Sequence, residues 1–358
     1  MQNNKEYNLF IMGFGNAAKA FCVLLEEKLP EIQKNLGCKI NIVTIWGNSK
    51  GPINSNFGID LENFNFEYNL TGSFPSDENY LYEIDKAIDA KELINKSNAN
   101  VFIELSPLSI FDGQPAISYI ETAFKKGMHV ITANKGPIAW DFHRLNSLAQ
   151  AKSLGFYYET TVMDGTPIFN LMKNTLPGCK VISFKGILNS TTNFVISQME
   201  DGKNFNESVS EAKKRGFAEA DPSLDLEGWD AAGKTAALAN VLMDARINPT
   251  EIIRKGIEQI TEKDIAYAKA SGKKIKLICE AYFDSEFGYQ KLKVLGKVAP
   301  AYVDERDIFS KIDATSSILS IKTDLMGEIS IIENAPEIEQ TAYGIYSDLY
   351  TLIQNDTL

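Results

Sequence analysis

Asp230 and Lys234 stand four residues apart in a segment rich in Ala, Gly and Leu. On a helix this spacing puts both charges on one face. A surface pair of this kind contributes only a few tenths of a kcal/mol, on the order of 0.2–0.5. Here Ala231, Ala232, Ala236, Ala237, Leu238, Val241 and Leu242 leave no solvated face, so the helix carries two opposite charges into an enclosed place. Either would be costly to bury alone. Gly233 costs about 1 kcal/mol relative to Ala inside a helix, which predicts a close approach to the backbone there. We assign that approach to a substrate.

The chain has 358 residues, 44% hydrophobic and 23% charged, long enough for two domains. Its net charge of −11, spread without a basic tract, lacks the electrostatic footprint of phosphate-backbone binding. No nucleic-acid or membrane partner is expected. Cys22, Cys38, Cys179 and Cys279 have no zinc-site or thioredoxin-like spacing, and suit a reducing cytoplasm. The two histidines, His129 and His143, have no Ser or Cys nucleophile beside them. Proton transfer therefore falls to lysines and carboxylates.

The elements that must position these groups begin with a short apolar run, Asn8–Met12, followed by Gly13-Phe14-Gly15-Asn16-Ala17-Ala18 and a helical pattern. This strand, tight turn and helix match a dinucleotide fingerprint. Gly13 makes the turn, Gly15 lets the backbone approach a pyrophosphate, and Ala18 permits close helix–strand packing. Asn16 and Ala17 open the helix, whose free N–H groups face the phosphates. The same apolar stretch resembles a secretory leader in outline, but the residues before it are not positively charged overall.

The next strand, Lys39–Ile45, ends near Ser49 and Lys50 with no Asp or Glu. An acidic residue there usually meets a free ribose hydroxyl, whereas cations and hydroxyls suit a 2′-phosphate. NADP(H) is expected over NAD(H). Residues 51–80 lack periodicity and read as a long loop. Strands Val101–Leu105 and His129–Thr132, with a helix at Ile117–Lys126, complete a doubly wound parallel sheet. Ligands sit at the carboxyl ends of such strands, which places Ser106, Thr132 and Lys135 in the site. From residue 156 strand-like runs take over, at 156–162, 180–188, 275–283, 291–297, 318–322 and 328–332, with a long helix at 226–244 and a last one at 341–353.

Five ordered stretches together resemble the homoserine dehydrogenases. They are Gly-Phe-Gly-Asn-Ala-Ala at 13–18, Thr-Ala-Asn-Lys-Gly-Pro at 132–137, Glu-Thr-Thr-Val-Met-Asp-Gly-Thr-Pro at 159–167, Gly-Ile-Leu-Asn-Ser-Thr-Thr-Asn at 186–193, and the segment from Gly216 through Lys234. The resemblance implies an α/β fold: a Rossmann-type doubly wound nucleotide-binding domain (1–156 and 341–358) with an α+β substrate and dimerisation domain (157–340). Within the latter it implies dimerisation through 157–166 and 299–340 and catalysis in 167–298.

The activity implied is NAD(P)H-dependent interconversion of L-aspartate 4-semialdehyde and L-homoserine, towards threonine and methionine. In a site of that family Lys135 and Lys234 would flank the reacting oxygen, with desolvation lowering a lysine pKa, while Glu219 and Asp230 would hold the substrate ammonium. Glu159, Val162, Asp164 and Thr166 match the family's monovalent-cation site, with sodium as the ion. A homodimer is implied. Two stretches depart from the family pattern: 334–340, usually Gly-rich, and Ser316-Ser317 in place of an Asn-Ala pair. The chain ends soon after its last helix, so no C-terminal regulatory domain or threonine feedback is expected. The competing reading is a dinucleotide-binding sensor that has lost turnover.

Overall fold

The structure is a computed structural model, and it describes residues 5–47, 50–75, 88–284 and 293–357. The amino-terminal half runs β1 (Glu6–Met12), α1 (Asn16–Leu36), β2 (Lys39–Gly47), β3 (Gly51–Asn54), α2 (Leu61–Thr71), α3 (Ala90–Lys96), β4 (Val101–Glu104), α4 (Ala116–Lys126), β5 (His129–Thr132), α5 (Lys135–Ala151) and β6 (Phe156–Tyr157). Its sheet has the order β3-β2-β1-β4-β5-β6, parallel except for the β2–β3 pair. That is the Rossmann-type order, with its crevice beyond the carboxyl ends of β1 and β4. These strands are apolar on both faces because helices cover both: Leu9, Phe10 and Ile11 of β1 are all fully buried.

The second half runs α6 (Ile168–Asn170), β7 (Val181–Ile187), α7 (Ser190–Glu200), α8 (Phe205–Lys214), α9 (Ser223–Leu226), α10 (Trp229–Leu242), β8 (Ile253–Arg254), α11 (Glu262–Ala270), β9 (Lys273–Phe283), β10 (Val294–Asp304), β11 (Ser317–Thr323), β12 (Glu328–Glu333) and α12 (Ile338–Thr357). A second sheet, β12-β11-β7-β9-β10-β8, is antiparallel except where β8 joins β10. The chain then returns to its start. Ala342, Ile345, Leu349, Leu352 and Ile353 form a buried stripe on α12 at helical spacing and pack into the core that α1 and β1 share. Fully burying an Ile or Leu is worth about 1.5–3 kcal/mol, so the stripe fastens α12 to the first sheet.

Three local expectations are corrected. Residues 51–75 are not a loop: Asp60 caps α2 through the Asn63 amide, and Leu61, Phe64 and Tyr68 bury one face of it. Phe14 meets Phe64, Tyr68 and Phe74 edge-on at 5.2–5.5 Å, so aromatic contacts made at long range stabilise a helix with little periodicity of its own. The strand expected over 156–162 stops at Tyr157, where a tight turn at Glu159–Thr161 begins. The helix expected over 226–244 is broken by Gly228, whose φ of +80° separates α9 from α10.

Candidate active site

Lys135 is the first residue of α5, and Asn134 caps that helix by accepting the Gly136 amide at 3.0 Å. Asp230 and Lys234 lie in the first turns of α10. The two helices pack together with these ends adjacent, so Lys135 Nζ meets Asp230 Oδ1 at 3.0 Å and Lys234 Nζ stands 3.6 Å from Oδ2. The side chains of Lys135, Asp230 and Lys234 are only 15%, 16% and 19% exposed. One carboxylate therefore serves two ammonium groups from two halves of the chain.

Gly233 has a different reason from the one expected. A Cβ there would lie 2.4 Å from Ile110 Cδ1 and 3.6 Å from Lys135 Cδ. The glycine makes room for Ile110 and the Lys135 stem, not for a substrate.

Three groups that sequence reasoning passed over complete the cluster. Lys234 Nζ donates to the Leu188 carbonyl at 2.7 Å. Asn189 Nδ2 donates to Asp225 Oδ1 at 2.7 Å and to Asp230 Oδ2 at 2.9 Å, bridging the two carboxylates. Leu188 and Asn189 lie inside a stretch already singled out, and Asp225 lies five residues before Asp230. Nothing local in the sequence signals that they converge.

Burial acts against charge on Asp230, yet Lys135, Lys234 and the Asn189 amide outweigh it and hold the carboxyl well below the usual range. Burial likewise opposes the Lys234 charge, but Asp230, Asp164 and Asp225 overcome it and raise its pKa. The expectation that desolvation would lower this lysine is corrected: acidic neighbours, not the low dielectric, decide its state.

Glu219 stands exposed in the turn between α8 and α9, and no hydrogen bond or ion pair joins it to the lysines among the described residues. Glu333, at the end of β12, is half-buried. Burial, with Asp164 adding to it, pushes the Glu333 carboxyl up to about 7, while the Thr166 hydroxyl and the Lys234 charge pull it back.

At the crevice of the first sheet Gly13 has φ of +98°, and a Cβ on it would come within 2.2 Å of the Leu105 carbonyl oxygen. Gly15 caps α1 with extended backbone and has open space where a Cβ would be. The first turn of α1, from Asn16 through Ala18, carries no acidic residue, and Ala18 is fully buried in the core. This cradle fits the pyrophosphate of a dinucleotide, by amide donors and a favourable dipole.

Glu104 ends the apolar strand β4 and is completely buried. Its carboxylate accepts the Ser106 amide at 2.9 Å, the Ser106 hydroxyl, and the Thr132 hydroxyl at 3.2 Å. Burial pushes its carboxyl up to about 7 against those hydrogen bonds. Ser106 and Thr132, expected to face the cofactor, are thus held by a carboxylate that sequence reasoning missed. A lone charge closing the run Val-Phe-Ile-Glu was the available signal.

Glu159, Val162, Asp164 and Thr166, the residues of the expected cation site, have contacts of their own within the chain. Both oxygens of Glu159 accept helix amides, from Phe169 at 2.7 Å and Asn170 at 2.8 Å. Asp164 accepts the Thr341 hydroxyl at 2.7 Å, Thr166 donates its amide to Met163, and Val162 is buried in the core. These contacts fasten the 159–167 turn to α6 and α12. Among the described residues no three His, Cys, Asp or Glu side chains are grouped to hold a metal ion.

A sequence profile of homoserine dehydrogenase matches residues 167–350. A Pseudomonas canavaninivorans protein named NAD(+)-dependent homoserine dehydrogenase is 31% identical over 98% of this chain and 97% of its own. A Sulfurisphaera tokodaii homoserine dehydrogenase is 33% identical over 98% and 99%. The crystal structure of a homoserine dehydrogenase from Thiobacillus denitrificans superposes with a TM-score of 0.81 at 25% identity, covering 99% of this chain and 74% of that one.

The expected preference for NADP(H) is overturned by the Pseudomonas relative, whose name specifies NAD(+). The structure supplies a physical reason for discounting the basic residue behind that expectation. Lys50 Nζ donates to the Gly72 carbonyl at 2.5 Å and lies 4.9 Å over the Tyr68 ring, so its charge is already engaged. Ser49 lies outside the described residues. With the sequence profile, two near full-length relatives and the two-sheet fold in agreement, the chain belongs to the homoserine dehydrogenase family.

Proposed function

We propose that this oxidoreductase interconverts L-homoserine and L-aspartate 4-semialdehyde with NAD(H), and that Lys135, Asp230 and Lys234 are its acid–base and orienting groups. The observation that carries the reading is the shared carboxylate: two half-buried lysines from different halves of the chain converge on Asp230. The nucleotide is assigned to Gly13, Gly15, Asn16, Ala17 and Ala18, with Ser106, Thr132 and Lys135 towards its reactive end. When bound, the nicotinamide supplies the hydride acceptor or donor.

Asp230 aims both lysines and keeps their charges compatible with burial. Lys234, held protonated by its acidic neighbours, polarises the aldehyde oxygen and donates the proton in the reductive direction. In the oxidative direction Lys234 must first lose that proton and then take the one on the homoserine hydroxyl as hydride leaves carbon, so oxidation favours alkaline pH. The two domains divide at 157 and 340, with 157–166 and 299–340 forming the interface of a homodimer. We place the enzyme in the cytoplasm, supplying threonine and methionine synthesis. The four cysteines are free, and among the described residues no helix is long and apolar enough to cross a membrane.

The test follows the absorbance of reduced nicotinamide during homoserine oxidation, with NAD⁺ and NADP⁺ compared at alkaline pH. Turnover with NAD⁺ that Lys234→Ala abolishes while cofactor binding persists is the expected result. Cofactor binding without any turnover of homoserine would overturn it in favour of a sensor.

A further inference from the structure

The loop between β4 and α4 leaves the crevice of the first sheet at Ser106 and runs along the amino end of α5. Asn134, which caps that helix, donates through Nδ2 to the Ser106 carbonyl at 3.2 Å. Farther along, a Cβ on Gly136 would stand 3.1 Å from Gly113 Cα and 3.2 Å from the Ser109 carbonyl oxygen, so the loop lies directly on the first turn of α5. It also holds its own shape. The Asp112 carboxylate accepts the Ser109 hydroxyl at 2.5 Å and the Gln114 amide at 2.9 Å, and the Gly113 amide donates to the Ser109 carbonyl at 3.1 Å.

Ile110 is the apolar residue that this loop buries. Its carbonyl accepts the Trp140 indole N–H at 2.9 Å, and the ring of the next residue, Phe111, meets Trp229 edge-on at 5.2 Å. Trp140 belongs to α5 and Trp229 to α10, so two adjacent loop residues bind the two helices that carry Lys135 and Asp230. The Ile110 side chain and the Lys135 stem then share one hollow. Ile110 Cδ1 lies 2.4 Å and Lys135 Cδ 3.6 Å from the single point that a Cβ on Gly233 would occupy. The space over that glycine is therefore filled jointly by Ile110 and by the stem whose ammonium group reaches Asp230 Oδ1 at 3.0 Å. A lysine stem is flexible and its head strongly hydrated. Beside an empty hollow it would regain rotamers that take the ammonium group away from a fixed carboxylate oxygen.

We infer that Ile110 is a positioning residue for the reaction: it fills the hollow over Gly233 beside the Lys135 stem and so keeps the Lys135 ammonium group on Asp230. This rests on the proposed homoserine reaction. One stretch of backbone, from Ser106 to Gly113, thereby links the end of β4 in the nucleotide crevice to the acid–base cluster.

The test is an exchange of size across the hollow, made in the full chain. Gly233→Ala puts a methyl group against Ile110 Cδ1 and is expected to lower kcat for homoserine oxidation roughly tenfold to a hundredfold, the scale of a misplaced catalytic group. Ile110→Val removes Cδ1, after which the new methyl group meets its neighbours at an ordinary 3.6 and 3.7 Å. The double variant is therefore expected to return to within about threefold of wild type, a coupling that independent sites do not show. Ile110→Ala, which empties the hollow, is expected to lower kcat about tenfold while the NADH dissociation constant stays within about threefold. It should also speed reductive methylation of Lys135, followed by peptide mass, severalfold more than that of Lys276, whose side chain is 0% exposed. A double variant no better than Gly233→Ala, or methylation that rises equally at the two lysines, would overturn the assignment. Should Ile110→Ala fail to fold, the exchange decides alone. A wild type that binds NADH but oxidises no homoserine would refute the reaction, and the methylation ratio would then decide whether Ile110 holds Lys135.

Discussion

Replacing Asp230 by Asn removes the charge that holds Lys135 and Lys234 together while keeping the side-chain shape. At the 3.6 Å separation from Lys234, an effective dielectric of about 20 gives an attraction of about 4–5 kcal/mol. Asp164 and Asp225 still act on Lys234 in the variant, so only part of that attraction is lost. Burial then weighs more heavily, and Lys234 loses its proton at lower pH. The alkaline rise in homoserine oxidation is expected to move to lower pH, read from initial rates of NADH formation at saturating homoserine. An unmoved midpoint, or one displaced upward, would refute the electrostatic account of the site.

Stability gives an independent reading of the same variant. Breaking a largely buried pair costs about 3 kcal/mol, which corresponds to roughly 4 °C in melting temperature for a chain of 358 residues. The Asp230 carboxyl is depressed in the folded protein, so its contribution is present above the unfolded value of about 4 and is lost on acidification below it. Wild type and variant should therefore differ at neutral pH and converge in acid.

The two fingerprint glycines should behave differently. Gly15→Ala, with open space for its Cβ, is expected to keep the wild-type melting temperature within about 2 °C yet weaken NADH binding roughly tenfold by occupying the phosphate cradle. Gly13→Ala, which would strike the Leu105 carbonyl, should lose both binding and stability, as measured by calorimetry and thermal melting. Glu104 has its folded pKa raised to about 7, so between about pH 4.3 and that value the folded protein retains a proton that the unfolded chain has lost. Stability should fall as pH rises through this window, by up to about 4 kcal/mol from this residue. Glu104→Gln should flatten that part of the denaturation profile, and an unchanged slope would reject the assignment.

The reaction class and the first half of the fold were legible in the chain because they rest on local patterns. Gly13, Gly15 and Ala18 encode a turn, a cradle and a packing contact within six residues, and the apolar runs of β1, β4 and β5 are continuous because both their faces are covered. The charge pair on α10 was also legible, since helical spacing and apolar neighbours lie within one stretch. Partners brought from far away were not. Lys135 reaches Asp230 across 95 positions because α5 and α10 pack at their amino ends, and the reason for Gly233 is a side chain at position 110. The sign of the Lys234 shift depended on how many carboxylates the fold gathers around it, which burial alone predicts wrongly. Glu104 and Glu333 each close an apolar strand, a pattern visible in the sequence. Only the tertiary structure shows that one carboxylate is fully bonded while the other keeps an oxygen without a partner, because hydrogen-bond satisfaction belongs to the surroundings of a residue and not to its type.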